Sequence, residues 1–186
     1  MLKKLFKQLY RIIFQPEKAW NDLSIVDNGS FFKAYLYPVI GIVALLTFTG
    51  VFFHKKEFST ELALRLTVNV LITLLAGFYL ASQLLAEIMV RFFSDDKQYK
   101  LCQRFTGYSS ALIYVMYMVL AIFPDYSFLL LSLLYTVYIV WGGAVSFMQI
   151  REDQRIKFTV LASAIVLLAP FIIKWIMFIT MPGMRA

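Results

Sequence analysis

The chain has 186 residues, of which 61% are hydrophobic and 17% aromatic, and its mean hydropathy is +0.74. That lies well above water-soluble domains of this length, so the composition excludes a soluble globular protein and leaves no length for a separate soluble domain. A net charge of +7 on such a chain reads as membrane topology and attraction to anionic lipid, with no nucleic-acid partner implied.

The first 33 residues are too charged to span a membrane. In LKKLFKQLYRIIF, Leu2, Leu5, Phe6, Leu9 and Ile13 recur at helical spacing, while Lys3, Lys4, Lys7 and Arg11 supply a basic side. The pattern predicts an amphipathic helix on an anionic membrane surface, a role compatible with capping the bundle from below. It lacks the continuous apolar run of a signal peptide and the Arg- and Ser-rich composition of a transit peptide. Pro16 ends this helix and opens a second, PEKAWNDL, before a turn at Asp27-Asn28-Gly29.

Residues 34–186 form the predicted membrane domain. About 20 apolar residues at about 1.5 Å each cross roughly 30 Å of hydrocarbon, and five windows qualify, at about 34–53, 66–86, 105–124, 126–150 and 158–184. They are long and show no strict alternation, so they read as helices and not barrel strands. The expected fold is an all-α integral membrane protein, a five-transmembrane-helix bundle with an N-terminal amphipathic surface helix.

Orientation follows from the basic residues. Lys3, Lys4, Lys7, Arg11, Lys18, Lys33, Arg91, Lys97, Lys100, Arg104, Arg151, Arg155 and Lys157 fall on one side; Lys55, Lys56, Arg65 and Arg185 fall on the other. The positive-inside rule places the larger set, with the N-terminus, in the cytoplasm and the C-terminus outside.

Polar residues within spans are expensive and often functional. Arg65 and Glu87 lie too far apart on one helix to pair, and Glu87 is expected to pair locally with Arg91. Asn69 and Lys174 are the intramembrane polar candidates. Lys174 follows Pro170, which should kink the last helix; its amine either snorkels outward or faces Asn69, Glu61 or Asp125.

Little in the chain suggests catalysis. The single cysteine, Cys102, is expected in a cytoplasmic loop and rules out an internal disulfide, and the single histidine, His54, leaves no metal-ligand cluster. Asp95-Asp96 reads as a solvated helix cap. Gly107-Tyr108-Ser109-Ser110-Ala111 lacks the second glycine of a nucleophile elbow, and no phosphate-binding glycine loop occurs. The expectation is a protein that is not an enzyme and carries no cofactor or metal.

The third and fourth windows meet at Pro124-Asp125-Tyr126 with almost no loop, so they predict an antiparallel hairpin. Gly107 and Gly143 lie equally far from Asp125, which predicts that they face each other near the cytoplasmic end, together with Ser109 and Gly142. Tyr108 is expected there as an interfacial anchor.

These residues resemble the Yip family of Ypt- or Rab-interacting membrane proteins, which have five spans, a cytoplasmic N-terminus and an outside or lumenal C-terminus. The match is carried by Gly107-Tyr108 opening the third span, Pro124 ending it, Tyr135, Tyr138 and Gly142 in the fourth, Arg151-Glu152-Asp153 after it, and Phe14, Pro16 and Trp20 near the N-terminus. The chain lacks the Asp-Leu-Tyr-Gly-Pro string of eukaryotic members and the proline that follows their Gly-Tyr-Ser, so the resemblance implies a bacterial member in the cytoplasmic membrane. The function it implies is non-enzymatic membrane organisation or interaction, engaging lipid or a protein partner from the cytoplasmic side. The alternative is a small-solute or ion permease acting as a homo-oligomer. Expected partners are the lipid bilayer, anionic lipids at the N-terminal helix, and a protein or a further copy of the chain.

Overall fold

The computed structural model describes residues 2–25, 31–54, 59–93 and 99–180. The expected turn at Asp27-Asn28-Gly29, the Asp95-Asp96 pair and the basic residues Lys55, Lys56, Lys97 and Arg185 lie outside them. The protein is an all-α membrane protein: four helices are long and apolar enough to cross a bilayer, and a bent helix pair meets the same measure when taken as one span.

Helix α1 (Leu2–Phe14) follows the amphipathic spacing, and α2 (Pro16–Ile25) opens on the proline. The chain enters the membrane through a π-wound turn, Phe32–Leu36, that runs directly into α3 (Tyr37–His54). Helix α4 (Thr60–Phe93) has 34 residues; at about 1.5 Å per residue it measures about 51 Å, longer than roughly 30 Å of hydrocarbon requires. Glu61 and Arg65 pair on it at 2.8 Å. The expected Glu87–Arg91 pair does not form: both side chains are exposed and make no ion pair among the described residues.

The third crossing corrects the single uninterrupted helix expected at 105–124. It consists of α5 (Tyr99–Ser109) and α6 (Ala111–Ile122), bent by 41°. Ser110 sits at the bend with φ −79° and ψ 3°, and its hydroxyl donates to the Thr106 carbonyl at 2.8 Å. A serine hydroxyl bonding one turn back tilts that carbonyl and bends the helix.

The fourth crossing departs further from the expected helix at 126–150. From Pro124 to Tyr135 the chain is wound as a 3₁₀ helix, interrupted at Tyr126, and only Thr136–Ser146 (α7) is α-helical. Beyond α7 the N–H of Met148 reaches back to the Gly143 carbonyl (3.0 Å) and that of Ile150 to the Ala144 carbonyl (2.9 Å). Gln149 turns the chain in the left-handed region, with φ +51°. A short turn at Glu152–Gln154 leads into α8 (Arg155–Thr180), which contains Pro170.

Small residues set the closest helix approaches, as lipid-embedded helices require. Gly50 on α3 lies against the Ala121 carbonyl of α6, and Gly77 on α4 lies against Pro170 of α8, where an added Cβ would stand 3.0 Å from the proline Cα. Helices α4 and α8 run antiparallel from the Phe93–Phe158 ring contact (5.6 Å) to Thr73 and Met177 (4.0 Å). The end of the bundle bearing α1 and α2 is termed the near face, and the end bearing Pro124 the far face.

Gly41 tests this by contrast, because an added Cβ there meets nothing within 4 Å. Gly77→Leu should lower stability by about 1–3 kcal/mol through overpacking, visible as a lower Tm in detergent, whereas Gly41→Leu should leave it nearly unchanged.

Candidate functional site

The near face is organised around one tryptophan. Trp20 projects from α2 and is fully buried, and its indole N–H donates to the Ile139 carbonyl of α7 at 2.9 Å. Its ring stacks on Phe105 (centroids 5.2 Å), tilts against Phe147 (5.1 Å) and meets Tyr108 edge-on (6.2 Å). Such geometries each contribute about 0.5–1.5 kcal/mol beyond simple area burial.

Gly142 and Gly143 make room for this ring. A Cβ at Gly143 would lie 2.6 Å from Trp20 Cε2 and 2.8 Å from Phe105 Cε2, a separation that real Cβ atoms do not adopt. At Gly142 the neighbours are Trp20 at 3.4 Å and Pro16 at 3.7 Å, so the start of α2 rests on α7. Around Gly107 the first atoms met belong to the Phe31 ring and to Phe78, the latter at 3.3 Å. The expected mutual packing of Gly107 and Gly143 is therefore corrected: Gly107 meets Phe31 and Phe78, and Gly143 meets Trp20 together with Phe105 from the hairpin's own first arm. Two-body reasoning about the hairpin left out the N-terminal segment and the start of α3, which fill the space between.

Tyr108 is corrected likewise. It is buried, not interfacial, and forms an aromatic cluster with Tyr35 (4.7 Å) and Phe31 (5.1 Å). Ser109 is buried beside it. Cys102, expected in a loop, is buried within α5. Pro124 lies at the opposite end, where it opens the 3₁₀ segment and is exposed. The structure thus gathers Gly107, Tyr108, Ser109, Gly142 and Gly143 around one aromatic core and leaves Pro124 apart from it.

Further polar contacts tie the N-terminal helices down. Tyr135 donates its hydroxyl proton to the Ile13 carbonyl (3.0 Å), Arg104 donates to the Leu23 carbonyl (3.2 Å), and Arg11 pairs with Asp22 at 2.9 Å. Lys3, Lys4, Lys7 and Arg11 are exposed on α1. Between α1 and α2 lies a groove of about 320 Å³ bordered by Lys4, Lys7, Arg11 and Asp22 over an apolar floor of Ile12, Ala19 and Leu23.

The two intramembrane candidates do not meet. Asn69 is half-buried and accepts from the Thr73 hydroxyl at 3.4 Å. Lys174 is exposed on α8 and has no hydrogen bond or ion pair among the described residues, so it pairs with none of Asn69, Glu61 and Asp125. Among the described residues no group of three or more His, Cys, Asp or Glu side chains is placed to hold a metal.

A family model described as the Yip1 domain matches residues 10–174, a stretch that includes Trp20 and every element of its seat. The chain belongs to the Yip1 family. No curated protein and no solved structure matches it. Phe31, Tyr35, Phe105 and Phe147 are the Yip1-domain residues that sequence reasoning missed. For Phe105 and Phe147 the signal was the Phe14-x-Pro16-x-x-x-Trp20 motif, which presents a tryptophan that needs a buried seat without saying where it lies; Phe31 and Tyr35, which pack on Tyr108, had no such signal.

Removing the indole should cost about 3–5 kcal/mol. Trp20→Ala should therefore lower the Tm and raise amide exchange across α1 and α2 in this Yip1-family protein. Gly143→Leu should displace the intact indole, giving a red-shifted tryptophan emission that Gly41→Leu does not produce.

Proposed function

We propose that this Yip1-family protein is a non-enzymatic membrane-organising or interaction protein that works from its near face, where α1 lies in the headgroup region of an anionic leaflet. The observation that carries this reading is the division of the apolar side of α1 into two edges. Leu5, Leu9 and Ile12 are buried against the bundle, while Leu2, Phe6, Tyr10 and Phe14 form a second edge, one turn apart from one another, that is exposed. Adjoining that edge are Lys3 and Lys7, with Arg11 and Lys4 beyond. An exposed aromatic edge beside a basic row suits a helix that sinks its rings below the headgroups and keeps its charges among the phosphates.

The basic-residue distribution supports the same orientation, with the N-terminus in the cytoplasm; the choice of a bacterial cytoplasmic membrane rests on the missing Asp-Leu-Tyr-Gly-Pro string and proline of eukaryotic members. Arg155 reinforces the boundary on the near face: it lies over the Trp141 ring at 4.0 Å and donates to the Trp141 carbonyl at 3.1 Å. A tryptophan paired with arginine is a common membrane-interface anchor. A protein partner would meet this same face, through α1, α2 and the turn at Glu152–Gln154.

Two measurements test the reading. A spin label at Phe6→Cys in a Cys102→Ser background should sit deeper, judged by oxygen against water-soluble nickel accessibility, in anionic than in neutral proteoliposomes. Changing Lys3, Lys4, Lys7 and Arg11 to Gln should abolish that difference, since each basic residue near such a surface contributes about 1 kcal/mol. Equal depth in both lipids would sink the lipid role. Because Cys102 is buried, topology is read from Asp153→Cys, exposed in the turn before α8. An impermeant thiol reagent should label it only after cells are permeabilised.

A further inference from the structure

The far half of the bundle contains an arrangement that the near-face reading leaves unused. Two cavities, of about 340 Å³ and about 120 Å³, converge on the same three residues, Tyr117, Leu120 and Lys174. The larger lies between α3, α4 and α6, bordered by Thr47, Val51 and Val70; the smaller lies between α6, the 3₁₀ segment and α8, bordered by Leu133 and Phe171. Apart from Lys174, Thr47, the Tyr117 hydroxyl and the Met116 thioether, their walls are hydrocarbon, aromatic ring or backbone.

Lys174 is placed at the junction by helix geometry. It stands six positions before Thr180, the last described residue of α8, which puts its Cα about 9 Å below that end of the helix. The side chain is exposed to the bilayer and has no ion pair or hydrogen bond among the described residues. An unpaired ammonium at that depth is costly in lipid, and an anion of matching depth relieves the cost. Pro124, exposed at the far face, borders the same cavity, so the ammonium lies within reach of the headgroup of an amphiphile that enters from the far leaflet.

We propose that this junction is a lipid site: a single-chain acidic amphiphile enters laterally from the bilayer, sets its carboxylate on the Lys174 ammonium and runs its acyl chain into the larger cavity. The charge selects an acid over a neutral lipid. The volume, at the low end of ligand pockets, suits one chain. Gly50 and Ala121, whose close contact fixes α3 on α6, form part of the cavity wall, so the site is built by the packing of the bundle and not by a mobile loop. The inference is independent of α1 and stands or falls separately from the near-face role.

The experiment uses the full chain in neutral detergent with 9,10-dibromostearic acid as probe. Trp175 neighbours Lys174 and is exposed, so bromine quenching at that residue, isolated by comparison with Trp175→Phe, reports occupancy. Saturable quenching is expected, weakened about tenfold or more by Lys174→Met and retained by Lys174→Arg. Val70→Phe, which fills the larger cavity, should weaken it as well. The methyl ester of the same acid should bind far less tightly. Equal binding of acid and ester, or no effect of Lys174→Met in a protein whose helical circular dichroism is unchanged, would overturn the headgroup assignment. Indifference to Val70→Phe would overturn the placement of the chain.

Discussion

An indole N–H carried into apolar surroundings has to find an acceptor, and in this molecule that requirement is met at one point, the Ile139 carbonyl. Much of the near face follows from it. For the bond to form, α2 must lie along α7, which requires glycine at 142 and 143; the ring must then be enclosed, which requires Phe105, Phe147 and Tyr108. With α2 fixed, the short link through Gln15 folds α1 back onto α2 and against α6, and Leu5, Leu9 and Ile12 are buried. The N-terminal segment is thus part of the folded core, joined to the fourth crossing by a contact 119 residues distant in sequence.

Membrane helices gain little from the hydrophobic effect against one another, because lipid is as apolar as leucine. The bundle relies instead on shape, and its glycines show two ways of using it. Gly50 and Gly77 allow backbone to approach backbone, at Ala121 and Pro170. Gly107 and Gly143 are sockets for rings. The first use tightens a pair of neighbouring helices; the second joins three or more elements at one place, and it is confined to the near face.

This distinction explains what was legible in the sequence. The spans, α1 and the opening of α2 at Pro16 depend on local quantities, namely hydropathy, periodicity and proline chemistry, and these are written in contiguous residues. The bend at Ser110 depends on a hydroxyl choosing the Thr106 carbonyl over other partners, and serine occurs in straight helices too. The socket role of Gly107 depends on Phe31, which is distant in sequence, so counting residues from Asp125 found the right depth and the wrong neighbour. Tyr108 misled for a related reason: a tyrosine near a span end usually anchors at the interface, but here α5 extends the helix below it to Tyr99 and α2 covers it. Lys174 was legible as an isolated charge, while the cavities it joins arise from five elements and have no local signature.

The 3₁₀ winding of the fourth crossing gives that arm a different economy of length. The segment is interrupted at Tyr126, and its 3₁₀-wound residues rise about 2.0 Å each, where those of an α-helix rise about 1.5 Å. Its reach is therefore set by winding as well as by residue count, and counting residues alone does not measure it.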